Sequence, residues 1–272
     1  MQVEPIPPDP PAGRELTPSE CPILELDQVS FKAAISPYPI LQGISTTIHR
    51  GDRLAIVGIT GSGKTAILRL LNRLDSPTQG TIRLNHQDYQ AIPPVQLRQQ
   101  VMLVLSEPRL LGMTVQDAIV YPLKLRGLNP QAIDHRVNLW LERLQIPQNW
   151  LNRTELQLST GEKQWVAIAR ALAVQPSVLL LDEPFAHLDS RQQNHLVQGL
   201  ATWVEAADPA PKPTIVIATC DLKLPQQFST RLWHLDQGRL VLDIPQTEVN
   251  WHALQDDLSR AHQQVAQTWG EI

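Results

Sequence analysis

The sequence is poor in cysteine, with two residues in 272, and poor in aromatics, which make up 5% of it. Cys21 and Cys220 are too few and too far apart for a disulfide framework or a metal-binding spacing, which fits a reducing compartment. No uncharged apolar run approaches the roughly 18–20 residues that span a bilayer. The opening MQVEPIPPDPPAGRE has neither the basic end nor the apolar stretch of a secretion signal. There is no basic excess either: the formal net charge is -4, which argues against a duplex-wrapping nucleic-acid binder. Glycine is scarce, 13 residues against 23 prolines. No internal repeat is visible, which excludes a solenoid. What remains, 42% hydrophobic and 18% charged, is the profile of a globular chain with a sizeable core.

The chain divides by pattern. Residues 1–21 are proline-rich with few apolar anchors and read as a disordered or extended leader. From Ile23, ILELDQVSF alternates apolar and polar residues as a half-buried strand does. Leu54–Val57, Val101–Leu105, Val178–Leu181 and Thr214–Ala218 are short apolar runs bounded by polar residues, as buried parallel strands are. Lys64–Leu74 has Leu68, Leu71 and Leu74 at helical spacing. Val115–Leu123, Ala132–Leu144 and Glu162–Val174 also have helical spacing, punctuated by Pro130, Pro147 and Pro176. This predicts an α/β core over 22–244 interrupted by a helical insert at about 107–160. The tail 245–272 places Leu254, Leu258, Ala261 and Val265 on one face of an amphipathic helix.

GITGSGKT, Gly58–Thr65, matches the phosphate-binding pattern G-x-x-x-x-G-K-[ST] in full, between an apolar strand and an amphipathic helix. Gly58, Thr60, Gly61, Ser62 and Gly63 form the nest in which backbone N–H groups point at an anion. The following helix adds its positive end. Lys64 reaches the β- and γ-phosphates and Thr65 is a magnesium ligand. These residues imply binding of a nucleoside triphosphate. VLLLDEP, Val178–Pro184, ends a buried strand with two acids. A parallel neighbour places Asp182 beside the phosphate loop as a magnesium holder and Glu183 where it polarises the attacking water.

Upstream stands LSTGEKQWVAIARAL, Leu158–Leu172, which resembles the signature segment of the ATP-binding-cassette (ABC) ATPases, LSGGQ or LSGGE followed by a helix. With GITGSGKT, VLLLDEP and the later AHLD (Ala186–Asp189), the order and spacing resemble that family over residues 23–240. The resemblance implies a P-loop NTPase (RecA-like) core with an antiparallel β subdomain and a helical lobe. It implies ATP and Mg2+ as ligands. It further implies head-to-tail pairing, in which Ser159, Thr160, Gly161 and Glu162 serve the partner's ATP and Asp189 couples the two sites. The segment EPRLLGMTVQDAIVYPLKLRG is similar to that of single-cassette transporter subunits. The expected protein is therefore a cytoplasmic subunit on the inner face of the membrane. It is a homodimer or a heterodimer with another cassette, bound to a separate transmembrane permease, with no nucleic acid. A soluble non-transport cassette and a weak, regulatory cassette remain the alternatives.

Four positions depart from the family pattern. VLSEP carries Ser106 where the family has a glutamine, with Glu107 beside it. IATCD carries Cys220 where the family has a histidine facing the γ-phosphate, and a thiol is a poor donor by comparison. The adenine-stacking aromatic aligns with Ala33, leaving Tyr38 or Phe31 to substitute. Thr160 replaces the first signature glycine and Trp165 a usual arginine; Thr160 is tolerable only if its backbone is an ordinary helix start. Ser106 and Cys220 predict slow hydrolysis, since losing a hydrogen bond to a charged group costs about 1.5–3 kcal/mol. His187 and His195 form no ligand set. Trp140, Trp150 and Trp165 are either core or a contact patch for a membrane subunit.

Overall fold

The four short apolar runs become neighbours in one sheet. The computed structural model describes residues 22–34, 38–205 and 212–270, with side chains through Gln263 in the last helix. The predicted leader and Cys21 lie outside the described residues. In chain order the first half holds β1 (Pro22–Phe31), β2 (Leu41–His49), β3 (Arg53–Val57), α1 (Lys64–Leu71), β4 (Gln79–Leu84), β5 (Gln87–Asp88), α2 (Pro94–Gln100), β6 (Val101–Val104), α3 (Val115–Leu125) and α4 (Pro130–Arg143). The second holds α5 (Thr160–Val174), β7 (Val178–Asp182), α6 (Ser190–Glu205), β8 (Thr214–Thr219), α7 (Lys223–Phe228), β9 (Arg231–Asp236), β10 (Arg239–Pro245) and α8 (Trp251–Gly270).

The main sheet has the order β10-β9-β3-β8-β7-β6. Its members run parallel except β10, which returns antiparallel to β9. Every residue of β7 and β8 is buried, because helices cover both faces; this is why those runs show no polar alternation. The smaller sheet, β2-β1-β4-β5, is antiparallel throughout. Its alternation turns Leu24, Leu26 and Val29 inward. The two sheets share a core with α1.

Helix ends follow local chemistry. α1 stops at Leu71, where Asn72 caps it and donates from Nδ2 to the Val101 carbonyl. Arg73 then turns left-handed at φ 55°. Leu74, expected on the buried face, is past this break and is 42% exposed. Pro130 opens α4 instead of breaking it, with Asn129 Oδ1 accepting from the Ala132 amide at 2.8 Å; proline's missing N–H costs nothing in a first turn. Between β6 and β7, α3, α4 and α5 pack together and onto the sheet. Trp140 and Trp165 are buried inside this cluster, and Trp165 Nε1 donates to the Leu144 carbonyl at 3.0 Å. These two indoles are core and offer no contact patch; Trp150 is half-buried against the same cluster. Leu254 and Leu258 seat α8 on Ala55, Val57 and Leu232. Among the described residues no helix is long and apolar enough to cross a membrane.

Candidate active site

β3, β7 and β8 end at the same edge of the main sheet. The register sets Val57 beside Thr219 and Asp182 beside Ala218. The residues that follow therefore converge: the Gly58–Gly63 loop after β3, Glu183 after β7 and Cys220 after β8. In open parallel sheets this carboxyl edge is where ligands bind.

The loop leads into α1 through Gly63, whose φ is 105°, a conformation that belongs to glycine. A Cβ there would approach Leu41 Cδ2 to 2.7 Å. Lys64 is the first residue of the helix and is buried. Its Nζ donates to the Gly58 and Ile59 carbonyls at 2.8 and 3.0 Å and to Cys220 Sγ at 3.1 Å. Glu183 Oε1 stands 3.8 Å from the same ammonium. The charge is thus held at the mouth of the nest by main-chain oxygens, where anionic phosphate oxygens add to its ligand set.

Thr65 Oγ1 donates to Asp182 Oδ2 at 2.9 Å. The other oxygen, Asp182 Oδ1, is buried without a hydrogen-bond partner among the described residues, as is Ser62 Oγ in the loop. Burial pushes the Asp182 carboxyl above its ordinary value, with the Glu183 charge adding and the Thr65 hydroxyl and Lys64 opposing. A buried carboxylate oxygen with no donor, on a carboxylate that already meets the Thr65 hydroxyl, fits a hard divalent cation. Glu183 takes a left-handed backbone at φ 44°. Its amide donates to the Ala218 carbonyl at 2.8 Å, and its Oε2 accepts from the Cys220 amide at 3.2 Å. Such strain concentrates at functional sites. Burial also pushes the Cys220 thiol up, Glu183 adding to it against Lys64, so the thiol stays neutral near pH 7.

These groups open into a cleft of about 710 Å³. Lys64, Thr65, Glu183 and Cys220 line one part of it, and Phe31, Ala33 and Ile40 another. Phe31 and Ile40 are drawn together by the bond from the Ile40 amide to the Phe31 carbonyl, 2.7 Å. Tyr38 is 76% exposed and is not among the cleft's lining residues; the apolar wall is built by the end of β1 instead. Arg69 and Asp75, paired at 2.6 Å, also line the cleft. Sequence reading missed them, although Arg69 lies four residues beyond Thr65 and hence on its helical face.

Ser106 comes two residues after β6. It is half-buried and is not among the cleft's lining residues. The signature stands apart from the cleft's lining. Ser159 caps α5, its Oγ accepting from the Glu162 amide at 3.2 Å while Glu162 Oε2 accepts from the Ser159 amide at 2.7 Å. Thr160 is the first residue of α5, exposed, and not among the positive-φ residues. That is the ordinary helix start in which a threonine is tolerated. Gly161 is different: a Cβ there would meet the His187 carbonyl oxygen at 2.2 Å. His187 and Asp189 are exposed. Asp189 Oδ1 accepts from the Gln192 amide at 2.8 Å and opens α6.

A parallel sheet with a phosphate loop, a buried acid on its threonine and a cleft beyond them defines a P-loop nucleotide-binding protein. The model of the ABC transporter family matches residues 41–186. The methionine import ATP-binding protein of Pseudomonas putida (strain KT2440) is 35% identical over 237 residues, 85% of this chain and 69% of its own length. The sulfate/thiosulfate import ATP-binding protein of Mesostigma viride is 33% identical over 215 residues, 79% of this chain and 60% of its own. Among solved structures, cbiO1 from Clostridium perfringens, part of an ABC transporter complex, superimposes with a TM-score of 0.73 at 26% identity, covering 93% of this chain and 100% of that one. The chain belongs to the ABC transporter family and is an ATP-binding cassette. It spans between three-fifths and seven-tenths of the lengths of the two sequence relatives.

Proposed function

We propose that this chain is the ATP-hydrolysing subunit of a membrane ABC transporter. It pairs with a second cassette, a copy of itself or another chain, around two ATP molecules and drives a separate transmembrane permease from the inner face of the membrane. What supports the reading is the convergence of Lys64, Thr65 and Glu183 on one cleft, with Asp182 bonded to Thr65. Lys64 and the loop amides hold the β- and γ-phosphates. Thr65 and Asp182 hold Mg2+, which when bound offsets charge on the phosphate oxygens. Glu183 accepts a proton from, or orients, the water that attacks the γ-phosphorus. Ser159, Thr160, Gly161 and Glu162 act on the partner's ATP; Ser106, Asp189 and Cys220 couple nucleotide state to shape. The helical lobe, about 107–160, carries that change to the permease. The relatives are named for import, a direction we extend to this chain; their named substrates differ, and neither is carried over.

A second reading, a cassette that binds ATP with little turnover, is favoured by Ser106 and by the neutral Cys220 thiol. Steady-state magnesium-ATPase of the purified chain beside Glu183→Gln separates the two. The first reading expects turnover below the ~10 s⁻¹ typical of enzymes, abolished by the substitution. Binding of ATP with equal, background hydrolysis in both proteins supports the second.

A further inference from the structure

Helix α5 carries one side chain that the site described above leaves unused. Gln164 is 0% exposed, yet neither its Oε1 nor its Nε2 has a hydrogen-bond partner among the described residues. An unpaired buried amide is costly, and such a group calls for a partner or a role. Gln164 lies three residues after Gly161, so the two share a helix face. That face is turned to the segment following β7: a Cβ on Gly161 would lie 2.2 Å from the His187 oxygen and 3.8 Å from His187 Cβ. Residues 183–189 carry Glu183 at one end and Asp189 at the other. They are held by the Ala186 amide on the Glu183 carbonyl, 3.3 Å, and the Leu188 amide on the Phe185 carbonyl, 3.2 Å. Gln193 Nε2 adds bonds to the Phe185 and Leu188 carbonyls at 3.3 and 3.1 Å. The Phe185 and His187 amides and the Pro184 and Ala186 carbonyls take no part in these bonds. A glutamine amide offers a donor and an acceptor together, the pair that such main-chain groups need.

We infer that Gln164 is a positioning residue for Glu183. When nucleotide binds, the backbone of residues 184–187 pairs with the Gln164 amide. The signature at the start of α5 and the carboxylate that serves the chain's own ATP are thereby locked to one another. The inference rests on the role given to Glu183 in the preceding reading.

Hydrogen exchange of the full chain, with and without magnesium and a non-hydrolysable ATP analogue, tests it, with nucleotide affinity measured on the same samples. In the wild type, protection of the Phe185 and His187 amides rises roughly tenfold or more on binding. Gln164→Leu loses that rise while its affinity stays within about twofold, and its thermal midpoint without nucleotide is no lower than the wild type's, because an unpaired polar group has gone. Gln164→Met, similar in volume and equally without a donor, repeats the result if the leucine variant folds poorly. A tenfold rise retained in either variant overturns the inference, as does a wild type that binds the analogue with no rise. Failure to bind the analogue at all overturns the functional reading as well, so the two failures are distinguishable.

Discussion

Two helix N-termini in this chain carry motifs of the ABC transporter family, and they are finished in opposite ways. At the start of α1, Gly63 makes no side-chain cap, and the first turn contains no acid. Its amides are left for an incoming anion, with Lys64 beside them. At the start of α5, Ser159 and Glu162 close a complete capping box. There the Ser159 and Glu162 amides are already served, and a carboxylate sits at the positive end of the helix, itself paired with Arg153 at 3.4 Å. The first terminus leaves its end open beside a lysine; the second is closed by its own side chains. The same contrast explains the glycines. Gly63 and Gly161 cannot carry a Cβ, one for its φ and one for the His187 carbonyl, whereas Thr160 occupies an ordinary helical position.

The largest effect expected from breaking this contrast is at the open terminus. Lys64→Ala lowers ATP affinity roughly 100-fold, since several charge-assisted bonds are lost, while Ser159→Ala leaves the affinity of the isolated chain within about twofold. Fluorescent-nucleotide titration checks both; equal losses would erase the distinction. Next comes Gly161→Ala, which forces α5 from the His187 carbonyl at a cost of about 1–3 kcal/mol, against less than about 0.5 kcal/mol for Thr160→Gly. Denaturant unfolding reads the difference. Cys220→His, restoring an imidazole opposite Lys64, raises turnover about tenfold with little change in affinity, because a gain of about 1.4 kcal/mol confined to the transition state appears in kcat alone. An unchanged kcat would mean that this strand end does not limit the reaction.

The smallest effect is a pH dependence. Burial raises the Asp182 value, so the folded chain keeps that proton where the unfolded chain has lost it. The stabilising contribution is complete below the ordinary carboxylate range and is lost as pH rises through the raised value. The stability difference between wild type and Asp182→Asn therefore shrinks on acidification through that window. Magnesium with ATP, which takes the deprotonated oxygen, stabilises the wild type more as pH rises across it. Thermal midpoints over pH, with and without magnesium-ATP, measure both slopes.

Much of this was legible in the sequence where the rules are local. The four apolar runs predicted the parallel strands because burial on both faces removes polar alternation. The loop glycines predicted the start of α1 and the helical spacing of Glu162–Val174 predicted α5, while the Ser159–Glu162 capping box emerged only in the structure. Legibility failed where a neighbour decides. Leu74 keeps the helical period yet falls outside α1, because Asn72 finds the Val101 carbonyl of another element. Sequence alone left Tyr38 and Phe31 both open as substitutes for the aromatic missing at Ala33, and the Phe31–Ile40 pairing gives Phe31 to the cleft. Arg69 and Asp75 line the cleft as an ion pair that no motif announces. Trp165 was read beside a signature where arginine is usual, and a carbonyl from α4's end takes its indole N–H.

By itself the sequence determined the phosphate loop, the main strands and helices and the signature segment, because each depends on residues within a few positions of one another. Only the tertiary structure decided which distant groups meet: Thr65 with Asp182, 117 residues apart, and Lys64 with Cys220, 156 apart. The parallel register sets those meetings, and it is fixed by packing across the whole sheet, a balance of many side chains that no short stretch of sequence contains.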